Sequence, residues 1–455
     1  MKKNKKKILI VSRDGNDILS QSSNVNKIIN GLNNLGLYEI EVLTWPYKFD
    51  TWTGQQPQEN FLDYPNVKYL KKKYGNINYH IFSFPNFYHK TILNDKKLNF
   101  LEKLSKKIFQ ILKPDLVLLQ HRMGLWWIIR AAQINGIKTI YLNHDFGLIC
   151  YRSSLLKNND RLCNGIFGVK KCSECFLSNK NQLFKIHDSL NKNLYYNKLF
   201  KFLYQKIDTR DLINSNIDLD NSSSSIFEGH FSYTKKILSN LDVLITPSYF
   251  GKKFFSKYVS EKQIKIIPWF YEYKVSKRIK NPNEIRNVTY LGRISYDKGI
   301  DILLNSIKLL KNKFIFNVVG FKDDQFSNKI RVDFKKISDH KINLFDWSVN
   351  IDKFLFSADI LVIPSRVMDN TPISAIQFLA NKIPIIVPDI PTFNTPSFDG
   401  FNSIYKFKRN SPKSLARSID KLNDDMNANK KLIFPNLLNL NEYSKEISNI
   451  INGVI

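Results

Sequence analysis

The chain has 455 residues, 43% of them hydrophobic, and a formal net charge of +29 at pH 7. That length favours two domains over a single core, and that apolar fraction excludes wholesale disorder. The charge favours anionic partners such as nucleic acid, acidic lipid headgroups or phosphorylated substrates. Lysine and asparagine dominate the polar residues, however, so genomic base composition accounts for the excess equally well. No nucleic-acid-binding motif accompanies the charge, and no specific nucleic acid is expected as a partner.

The basic N-terminus is followed by an apolar segment, Ile8 to Ser12, too short for a secretory signal. The densest apolar stretch, Leu116 to Ala132, is broken by Gln120, His121, Arg122 and Arg130, so no membrane-spanning helix is predicted. A cytoplasmic protein is the expectation. Ile8 to Val11 reads as a buried strand, a polar loop runs from Ser12 to Ser23, and Val25, Ile28, Ile29 and Leu32 mark a helix closing near Gly36. Ile40 to Thr44, Leu116 to Leu119, Thr139 to Leu142, Val243 to Ile245 and Ile264 to Ile267 continue as strands. Continuous apolar strands alternating with helices predict a parallel sheet covered on both faces.

After the charged stretch Glu272 to Arg286 the pattern restarts. Val288 to Leu291, Phe314 to Val319, Ile360 to Ile363 and Pro384 to Val387 read as strands, with helices over Asp301 to Leu310 and Ile373 to Ala380. The predicted class is α/β, with two Rossmann-like doubly wound domains facing a central cleft. Their expected bounds are 1–272, which includes a cysteine loop at 145–178 and an irregular insert at 179–231, and 273–455, whose last helix packs back on the first domain. Ligands of such folds sit beyond the carboxyl ends of the strands.

Three segments carry the functional reading. Leu291-Gly292-Arg293-Ile294-Ser295-Tyr296-Asp297-Lys298-Gly299 follows a strand and opens a helix, where free N–H groups and two cations suit a leaving diphosphate. The bland alternative is a solvated turn with two surface cations. Pro364-Ser365 ends a strand, and Asp369-Asn370-Thr371-Pro372 leads into a helix containing Gln377. Its bland alternative is an ordinary N-cap. Leu241 to Ser248, with Ile264 to Pro268, is mostly architecture.

In this order and spacing the segments resemble family 4 glycosyltransferases of the GT-B fold. In that family a strand-Gly-Arg precedes a Lys-Gly, an Ala-Asp strand ends Pro-Ser, and a Glu-x7-Glu motif follows; here Ala358-Asp359 and Pro364-Ser365 match. The resemblance runs from Lys6 to about Phe407, with 179–231 unmatched. It implies that Arg293 and Lys298 hold the donor diphosphate, and that Asp369 with the backbone of Asn370, Thr371 and Pro372 contacts the transferred sugar. It further implies that Gln377 contacts the ribose and that His144 faces the donor sugar, with His121 a weaker companion. Both motif glutamates are replaced, by Asp369 and Gln377, and Gln lacks the charge that strengthens a hydrogen bond to a hydroxyl. Asp14-Gly15-Asn16 stands where a Gly-Gly is often found, and Ile390-Pro391-Thr392-Phe393 replaces a late Gly-Gly-x-x-Glu-like segment.

The implied activity is retaining hexosyl or related transfer from a nucleotide-sugar, without a catalytic metal, to a glycan or lipid-linked acceptor in surface polysaccharide assembly. The alternative from another class is a degenerate GT-B protein that binds nucleotide or glycan without turnover. All four cysteines fall in Cys150-x12-Cys163-x8-Cys172-x2-Cys175, spacing that suits a structural zinc, against a reading of four unligated thiols. Leu183 to Ile207 interleaves Leu, Phe and Tyr with Lys, as an interfacial helix on an anionic membrane or a core helix with a solvated face would. The first of these would place the protein on the inner face of the plasma membrane.

Overall fold

The computed structural model describes residues 5–12, 24–44, 68–83, 95–120, 126–150, 154–157, 161–163, 165, 171, 172, 175, 231–272, 286–347 and 352–455. The first sheet has eight strands in the order β3-β4-β2-β1-β5-β6-β7-β8. They are β1 (Lys6–Ser12), β2 (Tyr38–Thr44), β3 (Lys68–Tyr74), β4 (Ile77–Ser83), β5 (Leu116–Leu119), β6 (Lys138–Leu142), β7 (Val243–Thr246) and β8 (Ile264–Ile266). All pairings are parallel except that of β3 with β4. Helices α1 (Asn24–Asn34), α2 (Asp95–Leu112), α3 (Trp126–Ile134) and α4 (Tyr249–Phe255), with another over 231–239, cover it.

The second sheet has six strands, all parallel, in the order β11-β10-β9-β12-β13-β14. They are β9 (Asn287–Leu291), β10 (Ile315–Phe321), β11 (Lys341–Asp346), β12 (Ile360–Val362), β13 (Ile385–Pro388) and β14 (Ile404–Phe407). Its helices are α5 (Ile300–Ile307), α6 (Gln325–Lys335), α7 (Asp352–Ser357), α8 (Ile373–Ala380) and α9 (Pro412–Asn427); α10 (Leu440–Val454) ends the chain. In each sheet the strand order reverses beside the first strand, between β1 and β5 and between β9 and β12. Such switch points open a crevice at the carboxyl ends.

One device recurs at the opposite ends. An aspartate just before a strand accepts a hydrogen bond from the backbone N–H that opens a neighbouring strand. Asp115 takes Lys7 N at 2.7 Å, Asp242 takes Thr139 N at 2.8 Å and Asp359 takes Asn287 N at 3.0 Å. Each carboxylate satisfies an N–H at the sheet rim and fixes register there.

α10 lies against α1 of the first unit. Gly31 permits the close approach, since a Cβ there would sit 2.2 Å from Ser444 Oγ. Tyr38 Oη hydrogen-bonds Ser448 Oγ and Asn452 Oδ1, both at 2.7 Å. A single apolar cluster therefore joins the two sheets through Trp269, Phe270, Tyr443, Ile447 and Ile451.

The sequence reading found no strands at 68–83. There the chain forms a hairpin turned by Gly75 with φ 58°, whose β3 is an edge strand rich in lysine. Its apolar residues alternate rather than run together, as a half-buried edge requires. Behind it lies a buried polar chain: Tyr69 Oη to His80 Nδ1 at 2.9 Å and His80 Nε2 to Glu41 at 2.6 Å.

Candidate active site

The turn that leaves β9 is held by backbone contact too close for any side chain. A Cβ on Gly320 would lie 1.8 Å from Gly292 O, and one on Gly299 would lie 1.9 Å from Pro364 O. Both glycines have positive φ, 129° and 71°, which L side chains rarely adopt. The buried phenol of Tyr290 donates to Arg293 O at 2.6 Å and fixes the start of the turn. The loops that end β9 and β12 are thereby locked side by side at the switch point.

Each cation expected at a diphosphate already has an acidic partner. Lys298 Nζ donates to both carboxylate oxygens of Asp369, at 2.8 and 2.6 Å. Arg293, more than half exposed, reaches Asp297 at 3.2 Å. The structure thus brings Lys298 and Asp369 together across 71 residues, with Ser365 Oγ 3.4 Å from the same carboxylate.

Arg366 was not singled out in the sequence. It is buried, makes two 2.6 Å bonds to the Asp301 carboxylate, donates to Tyr296 O at 2.6 Å and lies 3.9 Å over the Tyr296 ring. Its own N–H donates to Asp297 O at 2.9 Å. One guanidinium therefore ties the loop after β12 to the Tyr296–Lys298 turn and to the first residues of α5. The signal available was an arginine directly after Pro-Ser, which no periodicity picks out.

The N-cap alternative for Asp369 to Thr371 does not hold. Pro372 is the N-cap of α8, without a side-chain capping bond, and Thr371 takes a left-handed φ of 67°. Asp369 turns instead to Lys298, and its carbonyl accepts from Thr392 Oγ1 at 2.9 Å, from the late segment that departs from the family pattern. Asn370 turns away toward the first sheet. Gln377 is buried, and its Oε1 accepts the Glu272 N–H at 3.0 Å. Glu272 itself pairs with Lys27 of α1. The position expected to meet a ribose thus also anchors the segment that joins the two sheets.

On the first-sheet side, His144 follows β6 and its ring lies 4.9 Å from that of Trp269. Asp145 accepts the Gly147 N–H at 2.7 Å and shapes the next turn. His121, Asp14, Gly15 and Asn16 lie outside the described residues, as do 179–230 with the Leu183–Ile207 segment.

No disulfide links the four cysteines, which gather within electrostatic reach of one another. Burial, then the neighbouring sulfurs, pushes the Cys163 thiol up to about 11 and the Cys172 thiol up to about 12. Among the described residues no group of three or more His, Cys, Asp or Glu is arranged to hold a metal ion, so the zinc expectation finds no support in the geometry. Among the same residues no helix is long and apolar enough to cross a membrane.

Comparison with known proteins bears on this arrangement. Residues 274–434 match the family described as glycosyl transferases group 1, a span that holds Arg293, Lys298, Asp369 and Gln377. The match falls on the second unit and is a likeness to that family over these residues. A 41.2 kDa protein in the cps region of Klebsiella pneumoniae is 23% identical over 188 residues. That match spans 38% of this chain and about half, 50%, of the relative's length. Among solved structures, sucrose-phosphate synthase from Thermosynechococcus elongatus superposes with a TM-score of 0.57 at 13% identity, covering 99% of both chains. Anabaena HepE in complex with UDP-glucose gives 0.58 at 12% identity, covering 98% of this chain and 99% of its own. The lipopolysaccharide outer core galactosyltransferase WaaB gives 0.52 at 11%, covering 99% and 100%. At such identities the likeness shows the fold, which is GT-B.

Proposed function

We propose that this chain is a group 1 glycosyl transferase that moves a hexosyl or related sugar from a nucleotide-sugar to a glycan or lipid-linked acceptor, with retention, in surface polysaccharide assembly. The observation that carries the reading is the Lys298–Asp369 pair at the β9/β12 switch point, with Arg293 beside it. Two cations and the N–H groups of the adjoining turn suit a departing diphosphate, and a carboxylate one residue from the first-sheet contact suits sugar hydroxyls. In the transfer the bond from the anomeric carbon to the diphosphate oxygen breaks and its electron pair leaves with the diphosphate. The acceptor oxygen bonds to the same face of that carbon, and its proton passes to the departing diphosphate oxygen. Arg293 and Lys298 offset the charge that develops on the leaving group, and His144 lines the sugar side. No catalytic metal is assigned to this chemistry.

UDP is the first nucleotide to test, because the structurally similar HepE is known with UDP and with UDP-glucose. The cps-region relative and WaaB support a setting in surface polysaccharide assembly. A thermal-shift screen against UDP-, GDP-, ADP- and CMP-sugars tests the donor site. A shift with one nucleotide, lost in the Arg293→Ala, Lys298→Ala double variant, supports the reading. No shift with any of them sinks it. Donor binding without turnover favours the degenerate alternative, whose motivation is that Asp369 and Gln377 stand in place of both motif glutamates.

A further inference from the structure

Asn370 belongs to the second unit by sequence, yet three of its hydrogen bonds cross to the first. Its Nδ2 donates to Asn143 O at 3.1 Å, just past β6. Its Oδ1 accepts from Ser248 Oγ at 3.0 Å, just past β7, and its carbonyl accepts from the Trp269 indole N–H at 3.1 Å, just past β8. The residue is buried, so water does not compete for these bonds. Asn143 and Trp269 both border His144, one as its chain neighbour and one as a ring it packs on. On the other side Asp369 is fixed to Lys298, and the left-handed Thr371 lets the chain turn away after the staple is made. A room-filling constraint agrees: a Cβ on Gly251 would lie 2.0 Å from Thr246 Oγ1 and 3.1 Å from Asn370 Oδ1.

We infer that Asn370 is a positioning residue whose carboxamide sets His144 at a fixed distance from the donor-side cations across the cleft. The inference rests on the reading of this cleft as the transfer site. An aspartate at 370 keeps the shape but replaces the N–H donor with a second oxygen facing Asn143 O, so the pair repels where it had attracted. Nucleotide contacts through Arg293 and Lys298 are left in place, whereas His144 shifts.

The test compares the full chain with Asn370→Asp by steady-state transfer, UDP calorimetry and NMR of labelled histidine, the His144 resonance being assigned by its loss in His144→Gln. Turnover is expected to fall about 100-fold, the scale on which a misplacement near 1 Å acts. UDP affinity is expected to stay within about twofold, while the His144 resonance moves. Turnover within about threefold of the parent, or nucleotide affinity lost in step with turnover, overturns the inference. If the parent neither binds UDP nor turns over, the functional reading fails on its own, and an unmoved His144 resonance overturns the inference separately. Should Asn370→Asp not fold, Trp269→Phe keeps an aromatic ring against His144 and removes the indole N–H that meets the Asn370 carbonyl. It is then expected to lower turnover about tenfold with UDP affinity intact, and equal turnover overturns the inference.

Discussion

Replacing Asp369 by Asn should separate nucleotide binding from sugar transfer, in opposite directions. Lys298 is paired with Asp369, so a diphosphate bound as proposed must first part them. Exposed ion pairs contribute about 0–1 kcal/mol and breaking buried ones costs about 3–5 kcal/mol. Here the two side chains are 23% and 28% exposed, which places the pair near the lower range. A neutral Asn of the same shape still meets Ser365 Oγ and leaves the Asp369 carbonyl to Thr392, so the loop should keep its path. Lys298 then leaves its partner at less cost, and UDP should bind more tightly by about 1 kcal/mol, roughly fivefold. Transfer should fall nonetheless, because Asn bonds the sugar hydroxyls less strongly than a carboxylate, by about tenfold to a hundredfold. Isothermal calorimetry with UDP and a UDP-release assay with the UDP-sugar read the two effects. Unchanged or weaker UDP binding, in a variant with the parent's melting temperature, would refute the reasoning that the pair competes with the ligand.

Other expectations follow from the same geometry. Arg366→Met leaves the Asp301 carboxylate without its bidentate partner and should cost about 3 kcal/mol in urea unfolding, with UDP affinity reduced at least about tenfold as the Tyr296 turn loosens; Arg366→Lys should rescue little, lacking the planar fork. Burial alone would raise the Glu41 carboxyl, but its bonds to His80 and Asn78 and the charges of His80 and Lys7 outweigh that and lower it. A lowered folded value means that the stability it confers is present above the ordinary glutamate range and is lost as pH falls through the folded value. Glu41→Gln should therefore flatten the acid limb of a melting-temperature profile below about pH 5. With its thiol raised to about 11, Cys163 should be alkylated by iodoacetamide at pH 8 about 100-fold more slowly in the folded chain than in urea, as followed by mass spectrometry.

Much of the architecture was legible because its strands are buried on both faces and announce themselves as short apolar runs. Ile8 to Val11, Leu116 to Leu119 and Ile360 to Val362 are of this kind, and the aspartates ahead of two of them reinforce the boundary. The β3–β4 hairpin escaped because an edge strand alternates and carries lysine where a central strand carries valine. β11 escaped for the same reason: it too is an edge, with its four middle residues only partly buried. At the site, the motif spacing together with the family resemblance drew attention to Arg293, Lys298, Asp369 and Gln377, and the structure sets Lys298 on Asp369. What spacing could not give is partnership. Arg366 and Asn370 have no periodic or motif signature, and their bonds reach 65 and 227 residues back along the chain.

The ion pairs of Arg366 and Lys298 show how the cleft's charges can be nearly balanced and still serve the proposed anion. Arg366 is spent entirely on structure: its guanidinium is buried against Asp301 and Tyr296, so it holds the turn without offering charge to a ligand. Lys298 and Arg293 are the cations whose partners are partly exposed, at 28% and 35%, and therefore the ones an incoming diphosphate can draw away at low cost. A buried arginine that fixes geometry beside a half-buried lysine that can change partner divides the labour between frame and function. Charge reversal at Asp301 would set a second cation against the buried Arg366 and should lower the urea midpoint sharply, whereas neutralising Asp297 should leave the fold intact and, by releasing Arg293, tighten UDP binding most at low salt in calorimetry.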